Sequence, residues 1–231
     1  KGAAVNGLRH IAMELAYHAP FTALGTMLGL AFVTLIVLNV PATEIYEGLF
    51  HTLHPLHMFL SAIATTAVYF RHRRTLLGAI TVGVIGSVGI CSISDIFLPY
   101  LGGALLGVKE LELHICLLKH PWLVLAPAFL GAFVALPLTV KTENSSLLPH
   151  GGHVMVSVLA SLTYLAAFSN PVALISFYMP QTFTIVFLAV LLPCCTSDIV
   201  LPVAALHGCL CEHDEHFKRP LLFKVLRRNR A

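Results

Sequence analysis

The nine residues C-S-I-S-D-I-F-L-P at 91–99 recur as C-C-T-S-D-I-V-L-P at 194–202. Each copy lies in a long apolar run, where a carboxylate is costly to hold. In a helix, the Cys and the Asp four residues after it share one face, and the Pro four residues further on cannot donate a hydrogen bond to the Asp carbonyl. Each copy therefore gathers a thiol, a hydroxyl, a carboxylate and a free carbonyl, which predicts a pair of related binding sites. The side chains concerned are Cys91, Ser94 and Asp95 in the first copy, and Cys194, Ser197 and Asp198 in the second.

The composition is typical of a membrane protein. Of the 231 residues, 57% are hydrophobic and 11% are charged, whereas about 25% of the residues of a soluble domain are charged. The mean hydropathy is +0.85. We therefore predict an all-α, polytopic membrane protein, and the net charge of +3 gives no reason to expect nucleic acid as a partner. The six cysteines lie mostly in or beside apolar segments, which disfavours a disulfide framework.

Six apolar segments have about the 20 residues that a helix needs to cross a bilayer. They cover residues 20–40, 51–70, 76–100, 121–140, 149–168 and 181–206. An amphipathic stretch precedes each set of three, at 7–18 and at 108–119. We expect each stretch to form a short helix at the membrane surface, and we do not expect the first to be a cleavable signal peptide.

The two halves of the chain match beyond the nine-residue motif, since H-P-L-H at 54–57 corresponds to H-G-G-H at 150–153. We predict two repeats, 1–103 and 104–207, followed by a tail at 208–231. Because each repeat contains three spans, the second must be inverted relative to the first, which is a recurrent plan of secondary transporters. The distribution of Lys and Arg near the spans predicts an integral protein of the cell membrane (plasma or inner) with both termini in the cytoplasm.

The predicted central site contains the acidic pair Asp95 and Asp198, with the Cys and Ser side chains of each motif copy as further ligands. Carboxylates inside a membrane usually mark a pathway or a binding site. The alternative is that each Asp caps a helix break and each Cys only packs. Two copies with matched Cys, Ser, Asp and Pro favour the functional interpretation.

Two pairs of histidines are predicted to flank this site, namely His54 with His57 and His150 with His153. Two imidazoles at positions i and i+3 can reach one metal ion, and imidazole suits Zn, Fe, Ni and Cu. In an inverted arrangement, the first pair would form an outer gate and the second an inner gate at the opposite membrane face. The alternative is that these histidines lie at the interfacial ends of two spans.

Further metal ligands are predicted outside the central site. Glu47 and His51 extend the outer pair by one turn and would collect cations at an entrance, unless they belong to a solvated helix end. The tail adds a further group of histidines and cysteines: His207, Cys209, Cys211 and His213. Such tracts are typical of metal binding, with palmitoylation of a Cys as the alternative. The basic end at 218–230 is expected to contact anionic lipid.

Ligands of mixed Cys, His and Asp type favour a divalent transition metal over Mg²⁺ or Ca²⁺. We predict a transporter for such an ion, with Zn²⁺ as the first choice and Fe²⁺, Mn²⁺, Co²⁺ or Ni²⁺ as alternatives. The ion is then a substrate, no tightly bound cofactor is expected, and a carrier this small could form a homodimer. Two other functions stay open: a membrane-embedded haem or di-metal redox protein or enzyme, and a carrier of protons or small organic cations. The sequence contains no G-x-x-x-x-G-K-[ST], H-E-x-x-H or G-x-S-x-G motif, which argues against the enzymes that these motifs mark.

Overall fold

The structure, a computed structural model, describes residues 2–40, 42–141 and 147–204, with side chains described over 15–16, 18–40, 42–71, 73–138 and 152–193. These residues form helices and no strand, which confirms the all-α prediction for the part of the chain described. The helices are α1 (Gly2–Asn39), α2 (Thr43–His72), α3 (Leu76–Ser92), α4 (Leu98–Leu105), α5 (Cys116–Lys119), α6 (Pro121–Lys141), α7 (Leu147–Ala167), α8 (Pro171–Ser176) and α9 (Met179–Ala204). A π-helical turn, Ile93–Phe97, joins α3 to α4.

Three helical segments are long and apolar enough to cross a membrane: His18–Asn39, Leu76–Leu105 and Pro121–Leu138. They coincide within a few residues with three of the predicted spans. Two shorter apolar segments lie in α7 and α9, at Gly152–Ala167 and Met179–Pro193. Large apolar side chains point outward from α1, α3 and α6, as in Leu35, Ile85 and Phe133. Outward apolar faces of this kind suit a lipid environment better than water.

The first amphipathic stretch does not form a helix of its own. Helix α1 continues through Pro20 without a break, so the stretch at 7–18 and the span predicted over 20–40 belong to one helix. A Pro bends a helix and removes one hydrogen bond, but within a long apolar segment the remaining bonds maintain the helix.

The second amphipathic stretch, predicted as a helix over 108–119, is mostly a loop, and that prediction is wrong. Only Cys116–Lys119 is helical. Glu110 has a φ of +61°, in the left-handed region that interrupts a right-handed helix. The backbone N–H of Glu112 donates to the carbonyl of Phe168, at the end of α7. This tertiary hydrogen bond holds the segment extended. The segment packs along the end of α7, where the hydroxyl of Tyr164 donates to the carbonyl of Glu112 and the ring of His114 stacks on Phe168.

Helix α2 lies at the centre of the bundle, where it packs against α3, α6, α7 and α9. It runs antiparallel to α7, because Phe50 near its start contacts Tyr164 near the end of α7, while His57 further along contacts His153 near the start of α7. Helix α1 packs mainly against α7 and α9, whereas α6 packs mainly against α2 and α3. These contacts bring the polar faces of α2 and α7 together in the middle of the protein.

Glycines lie where outer helices approach this central pair closely. A Cβ at Gly131 of α6 would overlap the carbonyl oxygen of Phe59 and lie 3.0 Å from the Cβ of Ala62, both on α2. A Cβ at Gly29 of α1 would lie 2.7 Å from a methyl group of Val158 on α7. Small residues at such contacts let helix backbones approach closely in membranes.

Candidate functional site

Asp95 lies at the middle of the π-helical turn, and the sequence around it explains the turn. The N–H of Leu98 donates to the carbonyl of Ile93, five residues earlier. In this register the next carbonyl in line is that of Ser94, and Pro99 has no N–H to offer it. The hydroxyl of Ser161 on α7 lies 3.1 Å from that oxygen and 2.9 Å from the carbonyl of Ser157. The free carbonyl expected at Asp95 is therefore at Ser94, since the predicted α-helical register is shifted by one residue.

The carboxylate of Asp95 is fully buried and accepts four hydrogen bonds. Its Oδ1 accepts from the hydroxyls of Ser94 at 2.8 Å and Ser157 at 3.1 Å. Its Oδ2 lies 2.8 Å from Nδ1 of His54 and 2.7 Å from Nδ1 of His57. Because an ionised carboxylate only accepts hydrogen bonds, both Nδ1 atoms carry the proton. Burying a charge this deeply is tolerated when hydrogen bonds satisfy all its oxygens.

The opposite edges of the two imidazoles face other groups. Nε2 of His57 lies 2.7 Å from Nε2 of His153, so one proton is shared between these two rings. The ring of His54 stacks on Phe50, with centroids 5.1 Å apart. Nε2 of His54 is buried and has no hydrogen-bond partner among the described residues. With Nδ1 protonated, the Nε2 lone pair of His54 can accept a cation or a proton, whereas that of His57 accepts the proton that it shares with His153.

This arrangement is the one that orients histidine ligands in metal proteins, where the second ring nitrogen donates to a carboxylate. Asp95 thus contacts the histidines directly and fixes their tautomer. The prediction that His54 and His57 form one gate and His150 and His153 another, at opposite faces, is wrong for His57 and His153, because these two side chains touch. Because α2 and α7 pack antiparallel, His57 and His153 lie opposite each other. The positions of these residues within the predicted spans do not indicate this contact.

The other predicted ligands differ in how much can be said of them. Cys91 is buried, and its carbonyl oxygen lies 3.2 Å from the hydroxyl of Ser94. Four predicted residues lie on described helices but their side chains lie outside the described residues: His150, Cys194, Ser197 and Asp198. The tail residues lie wholly outside the described part: His207, Cys209, Cys211 and His213. For these residues the site assignment stays a prediction.

A second cluster lies one turn before His54, near the start of α2. Nε2 of His51 is 3.2 Å from Nε2 of His114, in the loop before α5. The donor atoms of His51, His114 and Cys116 all lie within 4.8 Å of one another. The predicted ligand Glu47 is half exposed, and its carboxylate is 4.0 Å from Nδ1 of His51. Sequence reasoning found His51 and Glu47 here but missed the other two residues.

The missed residues belong to the stretch H-I-C-L-L-K-H at 114–120. Its concentration of His and Cys was a usable signal, but the predicted amphipathic helix would have placed these side chains at the membrane surface, away from α2. Burial raises the pKa of the Cys116 thiol to about 12. Burial, together with the nearby positive charge of Lys119, lowers the pKa of His114 to about 4. Without a bound cation both side chains are therefore neutral at pH 7.

His114 of the second cluster lines an open cleft of about 490 Å³. Its walls carry three acidic, two imidazole and one ammonium side chain, and three other residues complete them: Glu47, Glu110, Glu112, His114, His120, Lys119, Ala167, Phe168 and Ser169. Three carboxylates around one opening attract cations. On α2, His51, His54 and His57 follow at intervals of three residues, so His51 of the second cluster lies about one turn before the first imidazole of the buried cluster.

The fold and the site together define an all-α protein with apolar helices able to cross a membrane and a buried cluster of imidazoles around one carboxylate. No protein-family model, curated protein or solved structure matches the chain significantly.

Proposed function

We propose that the protein is a membrane carrier for a divalent transition-metal ion, with Zn²⁺ as the first choice and Fe²⁺, Mn²⁺, Co²⁺ and Ni²⁺ as alternatives. The observation that carries this proposal is the buried Asp95 carboxylate bonded to Nδ1 of both His54 and His57. This bonding points the Nε2 atoms away from the carboxylate: that of His57 faces His153, and that of His54 is buried without a hydrogen-bond partner among the described residues. The cation would bind to these imidazoles, and the negative charge of Asp95 would offset part of its charge.

The proposed architecture is six spans in two inverted repeats. Three features support it. Helices α2 and α7 occupy matching places in the two halves and are antiparallel. His57 and His153, which are equivalent in the sequence repeat, touch each other, as residues on a two-fold axis do. Helix α1 packs on α7 and α9, and its counterpart α6 packs on the corresponding helices of the other half, α2 and α3.

The glycine contacts follow the same symmetry. Gly29 faces Val158, and Gly131 faces Ala62. Val158 lies five residues after His153, and Ala62 lies five residues after His57, so these two partners are equivalent in the sequence repeat, and the two glycines are within one residue of equivalence. By this symmetry we propose that Asp198 serves His150 and His153 as Asp95 serves His54 and His57. Access to the shared His57–His153 region would then alternate between the two membrane faces.

The cytoplasmic location of both termini, the cell membrane as the site of action and the contact of the basic tail with anionic lipid remain part of this proposal. The metal ion is the substrate, and the lipid bilayer is the solvent of the outward apolar faces. A homodimer would be compatible with these faces.

Uptake by proteoliposomes tests the proposal. The purified chain should admit Zn²⁺ but not Mg²⁺ or Ca²⁺, because imidazole ligands discriminate against hard ions. His57→Gln and His153→Gln should each lower the initial rate at least about tenfold. His18→Gln on α1, outside both clusters, is the matched control and should keep the wild-type rate. Equal Zn²⁺ uptake by all variants, or none above empty liposomes, would contradict the proposal.

A proton carrier is the second candidate, and the 2.7 Å separation of the His57 and His153 Nε2 atoms favours it. Together with Asp95, these rings form a hydrogen-bonded chain along which a proton could move. In metal-free proteoliposomes, a proton carrier would dissipate an imposed pH gradient, whereas a metal carrier would do so only with Zn²⁺ present. Direct contact between His57 and His153 leaves no room for a haem between these two rings, which weakens the haem alternative.

A further inference from the structure

Three side chains from separate elements converge beside the acidic cleft. His51 comes from α2, His114 from the loop that follows α4, and Cys116 from the start of α5. His114 and Cys116 are buried, and His51 is half-buried. Their donor atoms lie within 4.8 Å of one another, and the two Nε2 atoms are 3.2 Å apart. Adjacent ligands of a tetrahedral zinc ion are about 3.3–3.6 Å apart, given Zn–N and Zn–S bonds of about 2.0 and 2.3 Å.

We propose that His51, His114 and Cys116 form a second binding site for a thiophilic divalent cation such as Zn²⁺ or Co²⁺, with its fourth position open to the cleft. We further propose that an ion bound at this site passes on to His54, and this role rests on the proposed function. The binding itself does not, because it depends only on these three side chains.

The chemistry of the site selects the ion. Two imidazoles and one thiolate are soft or borderline ligands, which favour Zn²⁺, Co²⁺ or copper and disfavour Mg²⁺ and Ca²⁺. When the ion binds, the S–H bond of Cys116 breaks, an S–metal bond forms, and the proton passes to water in the cleft. The carboxylates of Glu47, Glu110 and Glu112 raise the local concentration of cations at the opening. Three ligands with one open position are typical of sites that exchange their fourth ligand.

Lys119 opposes the cation. Its ammonium group lies 3.3 Å from Nδ1 of His114. A positive charge a few ångströms from the site repels an incoming dication. It also occupies Nδ1 of His114 as an acceptor, which puts the ring proton on Nε2, the atom that faces His51. Metal binding at Nε2 therefore requires Lys119 to withdraw and the proton to move to Nδ1. Replacing Lys119 by an uncharged residue should strengthen binding.

Co²⁺ binding to the full chain in detergent tests the site, because a cobalt–thiolate bond has a charge-transfer band in the near ultraviolet. Cys91→Ser, Cys194→Ser, Cys209→Ser and Cys211→Ser should be introduced first, so that the thiols of the two motif copies and of the tail give no signal. In this background we expect the band to appear on titration and to vanish in Cys116→Ser. Cys195→Ser, which changes a cysteine outside every site described, should keep the band.

Two further variants separate the possible failures. Lys119→Met should lower the Kd for Co²⁺ at least about threefold, and His51→Gln should raise it at least about tenfold. Asp95→Asn should keep the band even if it abolishes uptake, so that loss of transport and loss of this site are distinguished. A band that persists in Cys116→Ser, or an unchanged Kd in both Lys119→Met and His51→Gln, would overturn the assignment. Wild-type elution in size-exclusion chromatography identifies the variants that have folded.

Discussion

Asp95→Asn is expected to abolish most Zn²⁺ uptake while leaving the fold intact. The asparagine carbonyl can accept the hydrogen bonds of His54 and His57, as Oδ2 does now, and its amide can donate to the oxygens of Ser94 and Ser157. The four contacts therefore survive, and only the negative charge is lost. A dication bound to neutral imidazoles would then have no buried counter-charge.

We expect the initial rate of uptake to fall about 10- to 100-fold, the range found when the partner of a metal-binding histidine is removed. Proteoliposomes loaded with a zinc-sensitive dye provide the measurement. Glu44→Gln is the matched control, since it makes the same chemical change at an exposed carboxylate in the first turn of α2. If Asp95→Asn carries Zn²⁺ at the wild-type rate, the buried charge has no part in transport.

Asp95→Ala provides a contrast in stability. It removes the acceptor of two imidazoles and two hydroxyls at once, and the space left by the lost carboxylate is buried. Leaving one buried donor without its acceptor costs about 1–3 kcal/mol, and four donors lose their acceptor here. Asp95→Ala should therefore melt well below Asp95→Asn in a thermal-unfolding assay in the same detergent. Equal melting temperatures would mean that the four donors find other partners.

Local features of the site could be predicted from the sequence because they depend on spacing along one helix. Asp95 stands out because it lies within a long apolar segment, and His54 and His57 because they are three residues apart. Pro99 correctly indicated a break in helical hydrogen bonding. It did not indicate the π-helical register, which depends on Ser161 from another helix reaching the carbonyl of Ser94.

Features that depend on how helices cross could not be predicted in the same way. The contact of His57 with His153 requires α2 and α7 to cross near these residues, and no local pattern fixes a crossing point. The second cluster could not be predicted for a related reason. Its loop is held extended by the hydrogen bond from Glu112 to Phe168, so Cys116 and His114 turn inward toward α2. The alternating sequence at 108–119 fitted an amphipathic helix equally well until this tertiary contact was known.

Gly131→Ala is expected to destabilise the protein by about 1–3 kcal/mol, the usual effect of overpacking a close contact. The added methyl group would meet the carbonyl oxygen of Phe59, which belongs to the backbone of α2 and cannot rotate away as a side chain can. The two helices would have to separate, and α2 is the helix that carries His51, His54 and His57. The substitution should therefore lower the melting temperature and also weaken Zn²⁺ uptake.

Gly89→Ala on α3 is the matched control, because a Cβ there would have no heavy atom within 4 Å. Alanine is the better helix former by about 0.5–1 kcal/mol, so this variant should be as stable as the wild type or more so. Gly29→Ala should lie between the two, since its Cβ would meet the methyl group of Val158, which can adjust by a small side-chain movement. The order Gly131→Ala, Gly29→Ala, Gly89→Ala in rising melting temperature tests whether α6 contacts α2 through backbone. A Gly131→Ala variant as stable as Gly89→Ala would show that α2 and α6 lie further apart than the overlap of a Gly131 Cβ with the Phe59 carbonyl implies.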